Sequence, residues 1–208
     1  MIVAMWSGGK DSCLAVHRML RNGNEVSKLI CMLDEDNQSR AHGFYKIALE
    51  RQLKALQIDG VFGNSSWEGY KSEFKRLMNG LKAEKVVFGD IFLEEHRVWL
   101  EQVCDEVNVE PVFPLWKEDT EKLAREFLSE GYTAYIVSVR KDLGLDEYLG
   151  RKFSDEIIDE LMSLGVDPCG ELGEFHTFVT DGPMFVKPVE FEFGNVVERE
   201  KYKQIQIL

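Results

Sequence analysis

The chain has 208 residues and a formal net charge of −12, with 44% hydrophobic and 30% charged residues. That length supports one large or two small domains around a substantial core. No apolar run reaches the ~18–20 residues of a membrane span, no basic-then-apolar leader opens the chain, and no Lys/Arg cluster offsets the acidic balance. Direct nucleic-acid binding is therefore not expected. A cytoplasmic protein with a protein partner, or with a small neutral or cationic substrate, is.

In chain order, Ile2–Trp6 is an apolar strand candidate, and Cys13 to Arg21 is amphipathic, with Cys13, Val16, His17 and Leu20 on one helical face. Between them lies Ser7-Gly8-Gly9-Lys10-Asp11-Ser12. Strand, SGGKDS loop and helix make a phosphate-binding arrangement. The glycines let successive N–H groups point into one concavity. The helix N-terminus adds unpaired N–H groups and a positive dipole end, and Lys10 adds a mobile full charge. ATP binding is the expectation; the alternative is a solvated glycine turn. The upstream glycine of the Walker loop is missing, so this is a different class of ATP site. Asn22-Gly23-Asn24 stops the helix.

Further strands are expected at Ser27–Leu33, Gly60–Gly63, Lys85–Gly89 and Glu110–Phe113. Helical faces alternate with them: Tyr45, Leu49, Leu53 and Leu56; Tyr70, Phe74, Leu77, Met78 and Leu81; Trp99, Leu100, Val103 and Val107. This alternation predicts an α/β fold with a parallel sheet covered on both faces. Ligands of such sheets bind beyond the carboxyl ends of the strands. There lie the SGGKDS loop, Asp34-Glu35-Asp36, Asn64 to Trp67, Gly89-Asp90 and Pro114-Leu115-Trp116. Asp90 stands where a carboxylate could hold Mg²⁺ on ATP phosphates. In the segment that follows, Glu94 and Glu95 suit a helix N-terminus, His96 is a weak catalytic candidate, and Arg97 is a candidate for phosphate or substrate.

Near Pro114 the pattern changes. Thr120 to Glu130 reads as a helix capped by Asp119 or Thr120, Thr133 to Arg140 as a strand and Ser154 to Leu164 as a helix. Three β segments follow: Glu174–Thr180, Met184–Phe193 and Tyr202–Ile207, with Pro183 and Pro188 marking edges or turns. A second, smaller α+β domain is expected, giving domains 1–116 and 117–208. Within it, the glycine-dense stretch Gly165 to Thr177 brings Glu171, Glu174 and His176 close in sequence. They would bind an ammonium or a metal, or move protons; a solvated hairpin approach with a capping histidine is the equal alternative. The four cysteines form no C-x-x-C or zinc pattern. Cys169, beside acidic residues, is expected to be structural or to contact substrate rather than to act as a nucleophile.

SGGKDS resembles the pyrophosphatase loop (PP-loop) of ATP pyrophosphatases. With the segment GDIFLEEHRVWLE, the segment PVFPLW, Leu149-Gly150-Arg151 and the tail GELGEFHTFV…DGPMF, the chain resembles the diphthine–ammonia ligase family over nearly its whole length. The resemblance implies a Rossmann-like nucleotide-binding domain of the adenine nucleotide hydrolase type, with a smaller C-terminal acceptor domain. It implies a ligase that adenylates the carboxylate of diphthine, a modified histidine on translation elongation factor 2, and lets ammonia displace AMP. ATP and Mg²⁺ would be the cofactors, AMP and pyrophosphate the by-products. Ser7, Gly8, Gly9, Lys10, Asp11 and Ser12, with Gly89 and Asp90, would hold the nucleotide. Lys10, Asp90, Glu171, Glu174 and His176 would be catalytic, and His42, Arg97 and Thr177 would contact substrate. Two departures stand out: Leu172 replaces a glycine between the tail glutamates, and Arg40-Ala41 replaces a methionine and an aromatic beside His42. These bear on the acceptor rather than on the general chemistry. A PP-loop enzyme that adenylates a tRNA base for sulfur transfer, and a non-catalytic nucleotide-binding module, are the other readings. Membrane association is not expected, and a homodimer is left open.

Overall fold

The computed structural model describes residues 1–39 and 42–208; Arg40 and Ala41 lie outside the described residues. Five strands, β1 (Ile2–Met5), β2 (Val26–Leu33), β3 (Gly60–Asn64), β4 (Lys85–Val87) and β5 (Glu110–Val112), form one parallel sheet in the order β3-β2-β1-β4-β5. Helices α1 (Lys10–Arg21), α2 (Lys46–Leu56), α3 (Tyr70–Leu81) and α4 (Glu94–Asp105) make the crossovers. Alternate residues of the strands feed two apolar layers. Val3, Ile30, Met32 and Val86 pack with Phe74, Leu77, Leu100 and Val103 on one face. Ala4, Leu29, Cys31, Leu33 and Val87 pack with α1 and α2 on the other. Both faces are covered, as a parallel sheet requires.

After α5 (Thr120–Ser129), a second, antiparallel sheet forms from β6 (Thr133–Arg140), β7 (Phe175–Asp181), β8 (Phe193–Glu198) and β9 (Tyr202–Ile207), in the order β7-β6-β9-β8, with α6 (Asp155–Ser163) packed alongside. The Asp119 carboxylate caps α5 by accepting from Lys122 N at 2.9 Å. One continuous core joins this sheet to the first, running from Ala4 and Trp6 to Phe175 and Phe178.

The expected strand at Met184–Phe193 is not formed; the strand starts at Phe193, where the expected one ends. Pro183 and Pro188 have no N–H to donate to a ladder. The segment instead makes single tertiary bonds, Val186 N to Ala55 O at 2.8 Å and Val189 N to Thr180 O at 2.7 Å. Among the described residues no helix is long and apolar enough to cross a membrane.

Candidate functional site

The order β3-β2-β1-β4-β5 reverses direction between β1 and β4, so the switch point lies between the loops that follow these two strands. They are the SGGKDS loop and Gly89-Asp90. Gly8 adopts φ +85°, which only glycine takes without strain. Gly9 is the N-cap of α1 and supplies no side-chain cap, so the helix end is open to an anion. Hydroxyls fill part of that role: Ser12 Oγ accepts from Ser7 N at 3.3 Å, Ser7 Oγ from Gly9 N at 3.3 Å, and Thr177 Oγ1 from Lys10 N at 3.1 Å. A Cβ on Gly89 would lie 2.8 Å from Ser12 N and 2.9 Å from the Asp11 carbonyl carbon. The two switch-point loops therefore touch backbone to backbone.

The second sheet is fastened directly onto this loop. Val179 N donates to Gly8 O at 3.0 Å. Gln52, fully buried on α2, accepts from Trp6 Nε1 at 3.0 Å and donates to Gly8 O at 2.9 Å and Val179 O at 2.7 Å. The sequence reading missed Gln52. Its signal was a lone amide in the apolar stripe Ala48, Leu49, Leu53 and Leu56.

Lys10 is not a mobile loop charge. It is 3% exposed, its Nζ donates to both Asp11 carboxylate oxygens at 3.0 and 2.9 Å and to the Cys169 carbonyl, and it lies over the Phe153 and Phe175 rings. Burial works against its charge, but the Asp11 and Asp167 carboxylates more than compensate and hold its pKa above the ordinary value. The Cys169 thiol donates to Thr120 O at 3.2 Å, and burial raises its pKa, so it is inert as a nucleophile.

Glu171 reaches across from the second-sheet side. One of its oxygens accepts from Ile91 N at 2.8 Å and Phe92 N at 3.3 Å, just after β4. Burial, then the nearby Asp11 and Asp90 charges, push its pKa up to about 7, while the two backbone N–H groups pull against them. Asp90 pairs with His96, whose pKa the Asp90 hydrogen bond raises. His42 and His176 face each other with ring centroids 4.6 Å apart. Burial and the Lys10 charge lower both, His176 to about 4, with His176 also acting on His42. Both imidazoles are neutral at pH 7.

These groups surround one cavity of about 850 Å³, within the range of small-molecule sites. Of the expected residues, Ser7, Lys10, Asp11 and Ser12 of the loop, with Gly89 and Asp90, line one side. His42, Glu171, His176 and Thr177 line the other. Gly8 and Gly9 shape the loop from behind. Two expectations are corrected. The Glu174 side chain is buried off the cavity, one oxygen accepting from Asp167 N at 3.4 Å and the other without a partner among the described residues. It braces the turn that carries Cys169 and Glu171, because the backbone bond of its carbonyl to Arg140 N fixes it against β6. Arg97 also lies off the cavity, since its guanidinium stacks on Phe113 and Trp116 and pairs with Glu101 at 2.7 Å. The neighbouring His96 is the residue of α4's first turn that lines the cavity.

Among the described residues no group of three or more His, Cys, Asp or Glu converges as a metal cage. Asp90 is a single carboxylate beside the SGGKDS loop. That donor set fits a Mg²⁺ brought in on nucleotide phosphates, which needs one or two protein carboxylates, rather than a resident ion.

Glu171 supplies a stability test. Its folded pKa of about 7 lies above the ordinary carboxyl value, so ionising it costs more in the folded than in the unfolded state. Its contribution to stability falls as pH rises from the ordinary carboxyl range through 7. Glu171→Gln keeps an acceptor for Ile91 N and Phe92 N. The variant is expected to match the wild type near pH 4 and to gain thermal stability over it at pH 8. A stability difference that does not change with pH would refute the raised pKa.

Two family models match the chain: the Diphthamide synthase N-terminal domain over residues 1–111 and the Diphthamide synthase C-terminal domain over residues 119–206. Curated relatives named diphthine–ammonia ligase are similar along most of its length. The Rattus norvegicus protein is 29% identical, covering 94% of this chain and 84% of that one. The Homo sapiens protein is 27% identical with the same coverage. The Schizosaccharomyces pombe protein is 28% identical over 95% of this chain but only 37% of its own length. A solved structure titled a predicted subunit of tRNA methyltransferase, from Methanocaldococcus jannaschii, covers 91% of this chain and 100% of that one. Its TM-score is 0.49 and it is 17% identical.

Proposed function

The chain belongs to the diphthamide synthase family, and from that premise we propose that it is an ATP-dependent ligase converting the carboxylate of diphthine to its amide with ammonia. The observation that carries this reading is the shared cavity: the phosphate loop after β1 and the loop bearing Glu171, joined through Lys10, line one space. A nucleotide and an acceptor carboxylate placed there would meet.

The reaction has two halves. The acceptor carboxylate oxygen attacks the α-phosphorus of ATP, an O–P bond forms, and pyrophosphate leaves. Ammonia then attacks the acyl carbon, a C–N bond forms, the C–O bond to AMP breaks, and one proton is released. Lys10 and the open N-terminus of α1 would stabilise the charge that develops on the departing pyrophosphate. Asp90 would hold Mg²⁺, which neutralises phosphate charge when bound. Glu171, titrating near 7, is suited to take the proton from the attacking nitrogen, because a base works best with its pKa close to the working pH. The buried His42 and the half-buried His176, both neutral, would line the acceptor side without adding positive charge. Glu174 would position the Glu171 turn rather than touch reactants.

On the same footing, we infer that translation elongation factor 2 carries the acceptor, that the protein works in the cytoplasm, and that residues 1–116 bind nucleotide while 117–208 receive the acceptor. The test is product analysis. ATP, Mg²⁺, ammonium and a diphthine-bearing acceptor should yield AMP and pyrophosphate in equal amounts, dependent on the acceptor. ADP and phosphate as the only products, or AMP formation indifferent to the acceptor, would overturn the reading.

A further inference from the structure

Glu171 stands in a turn that has little of its own to hold it. Gly170 and Gly173 flank it at φ +67° and +78°, a region that glycine enters without strain. Leu172, between them, is exposed, so burial does not anchor the turn and its shape depends on polar ties. At its start, Glu171 N donates to Asp167 Oδ2 at 2.9 Å and Gly170 N to Asp167 O at 2.8 Å. At its end, Arg140 N donates to Glu174 O at 2.9 Å. Between these ties, Tyr202 on β9 reaches in from the cavity wall, and its hydroxyl donates to Gly173 O at 3.0 Å. Arg140 also donates to Leu172 O, but at 3.3 Å, and its guanidinium is shared with Asp142 at 2.7 Å.

We propose that Tyr202 is a positioning residue of this site: through Gly173 it sets the turn from which Glu171 reaches the end of β4. The catalytic consequence rests on the ligase reading above, whereas the placement of the turn does not. A Cβ on Gly173 would lie 2.8 Å from the Tyr202 hydroxyl oxygen, so the glycine is what lets the phenol come this close. Burial holds the Tyr202 pKa above its ordinary value against the pull of Arg140, so the hydroxyl keeps its proton and donates. Beyond Gly173, the Glu171 carboxyl accepts from Ile91 N and Phe92 N. A chain of bonds, Tyr202 to Gly173 and Glu171 to Ile91, thus runs from the second sheet to the first along the cavity. With glycine on both sides of Glu171 and Leu172, a slack carbonyl at Gly173 leaves the carboxyl free to swing.

The test uses the full chain and the variant Tyr202→Phe, which keeps the ring beside His176, 5.5 Å between centroids, and removes only the hydroxyl. Amide hydrogen exchange is followed by NMR at Ile91, whose N–H the Glu171 carboxyl covers, and at Val179, whose N–H is bonded to Gly8 O. Exchange at Ile91 is expected to speed up about tenfold or more, while Val179 changes by less than about twofold. With ATP and acceptor, pyrophosphate exchange into ATP should stay within about twofold and amide formation should slow about tenfold, because only the second half-reaction uses Glu171 as a base. Unchanged exchange at Ile91 would overturn the proposal. So would equal acceleration at Ile91 and Val179, the mark of a merely structural residue, and so would a loss of pyrophosphate exchange as large as that of amide formation. Faster exchange confined to Ile91, where the wild type forms no AMP with a diphthine acceptor, would instead bring down the ligase reading and leave the positioning role standing.

Discussion

Lys10→Ala is expected to abolish adenylation and to weaken the fold at the same time. The catalytic loss follows from position: Lys10 sits at the N-terminus of α1, where the charge of a leaving pyrophosphate would collect. Removing a preorganised cation of this kind costs roughly 10²–10³ in rate. The loss of stability follows from burial. Lys10 is 3% exposed, and its partner Asp11 is 28% exposed. Without Lys10, Asp11 loses its counter-charge and the Cys169 carbonyl loses its donor. Breaking a fully buried pair costs about 3–5 kcal/mol; the partial exposure of Asp11 brings the expectation here to about 2–3 kcal/mol. Urea unfolding gives the second quantity. Pyrophosphate exchange into ATP, measured where circular dichroism shows the variant folded, gives the first. Normal exchange by a folded Lys10→Ala protein would remove the phosphate-loop assignment.

Gln52→Leu is expected to destabilise the protein and to weaken ATP binding although Gln52 lies outside the cavity. The side chains are close in volume, so little cavity is created. Three hydrogen bonds disappear, however, and the Trp6 indole N–H and the Val179 carbonyl lose a partner in a buried setting. At about 1–2 kcal/mol for each stranded group, a loss of about 2–4 kcal/mol is expected. For a chain of this size that lowers Tm by about 5–15 °C. The same bonds hold Gly8 against β7, so ATP affinity should fall along with stability, whereas a purely structural amide would leave it unchanged at temperatures where the variant is folded. An unaltered Tm would mean that the three hydrogen bonds contribute nothing net.

The two loops at the switch point are legible in the sequence. A strand end, a glycine-rich turn and a helix start are written in short runs of neighbouring residues. The parallel sheet followed from the same local periodicity, and four of its helices were read from single apolar stripes. The Met184–Phe193 segment misled because its apolar content suits a strand, while the missing proline N–H groups decide that no ladder forms there.

What a local pattern could not carry was the direction in which polar side chains point. Glu174 and His176 are two residues apart, yet one is sealed behind the turn and the other lines the cavity. Arg97 and His96 are adjacent, and only the histidine faces inward. Lys10 reads as a solvated cation until β7 and the Cys169 turn close over it. The bonds that settle these questions join residues far apart in sequence, 167 positions for Lys10 N to Thr177 and 127 for Gln52 to Val179. The sequence by itself determined the α/β class, the strand–SGGKDS–helix arrangement and the family resemblance, because each rests on contacts between near neighbours or on contiguous motifs. Only the tertiary structure decided which charges are buried, paired and turned toward the cavity, because desolvation and pairing depend on the second sheet docking across the carboxyl ends of the first.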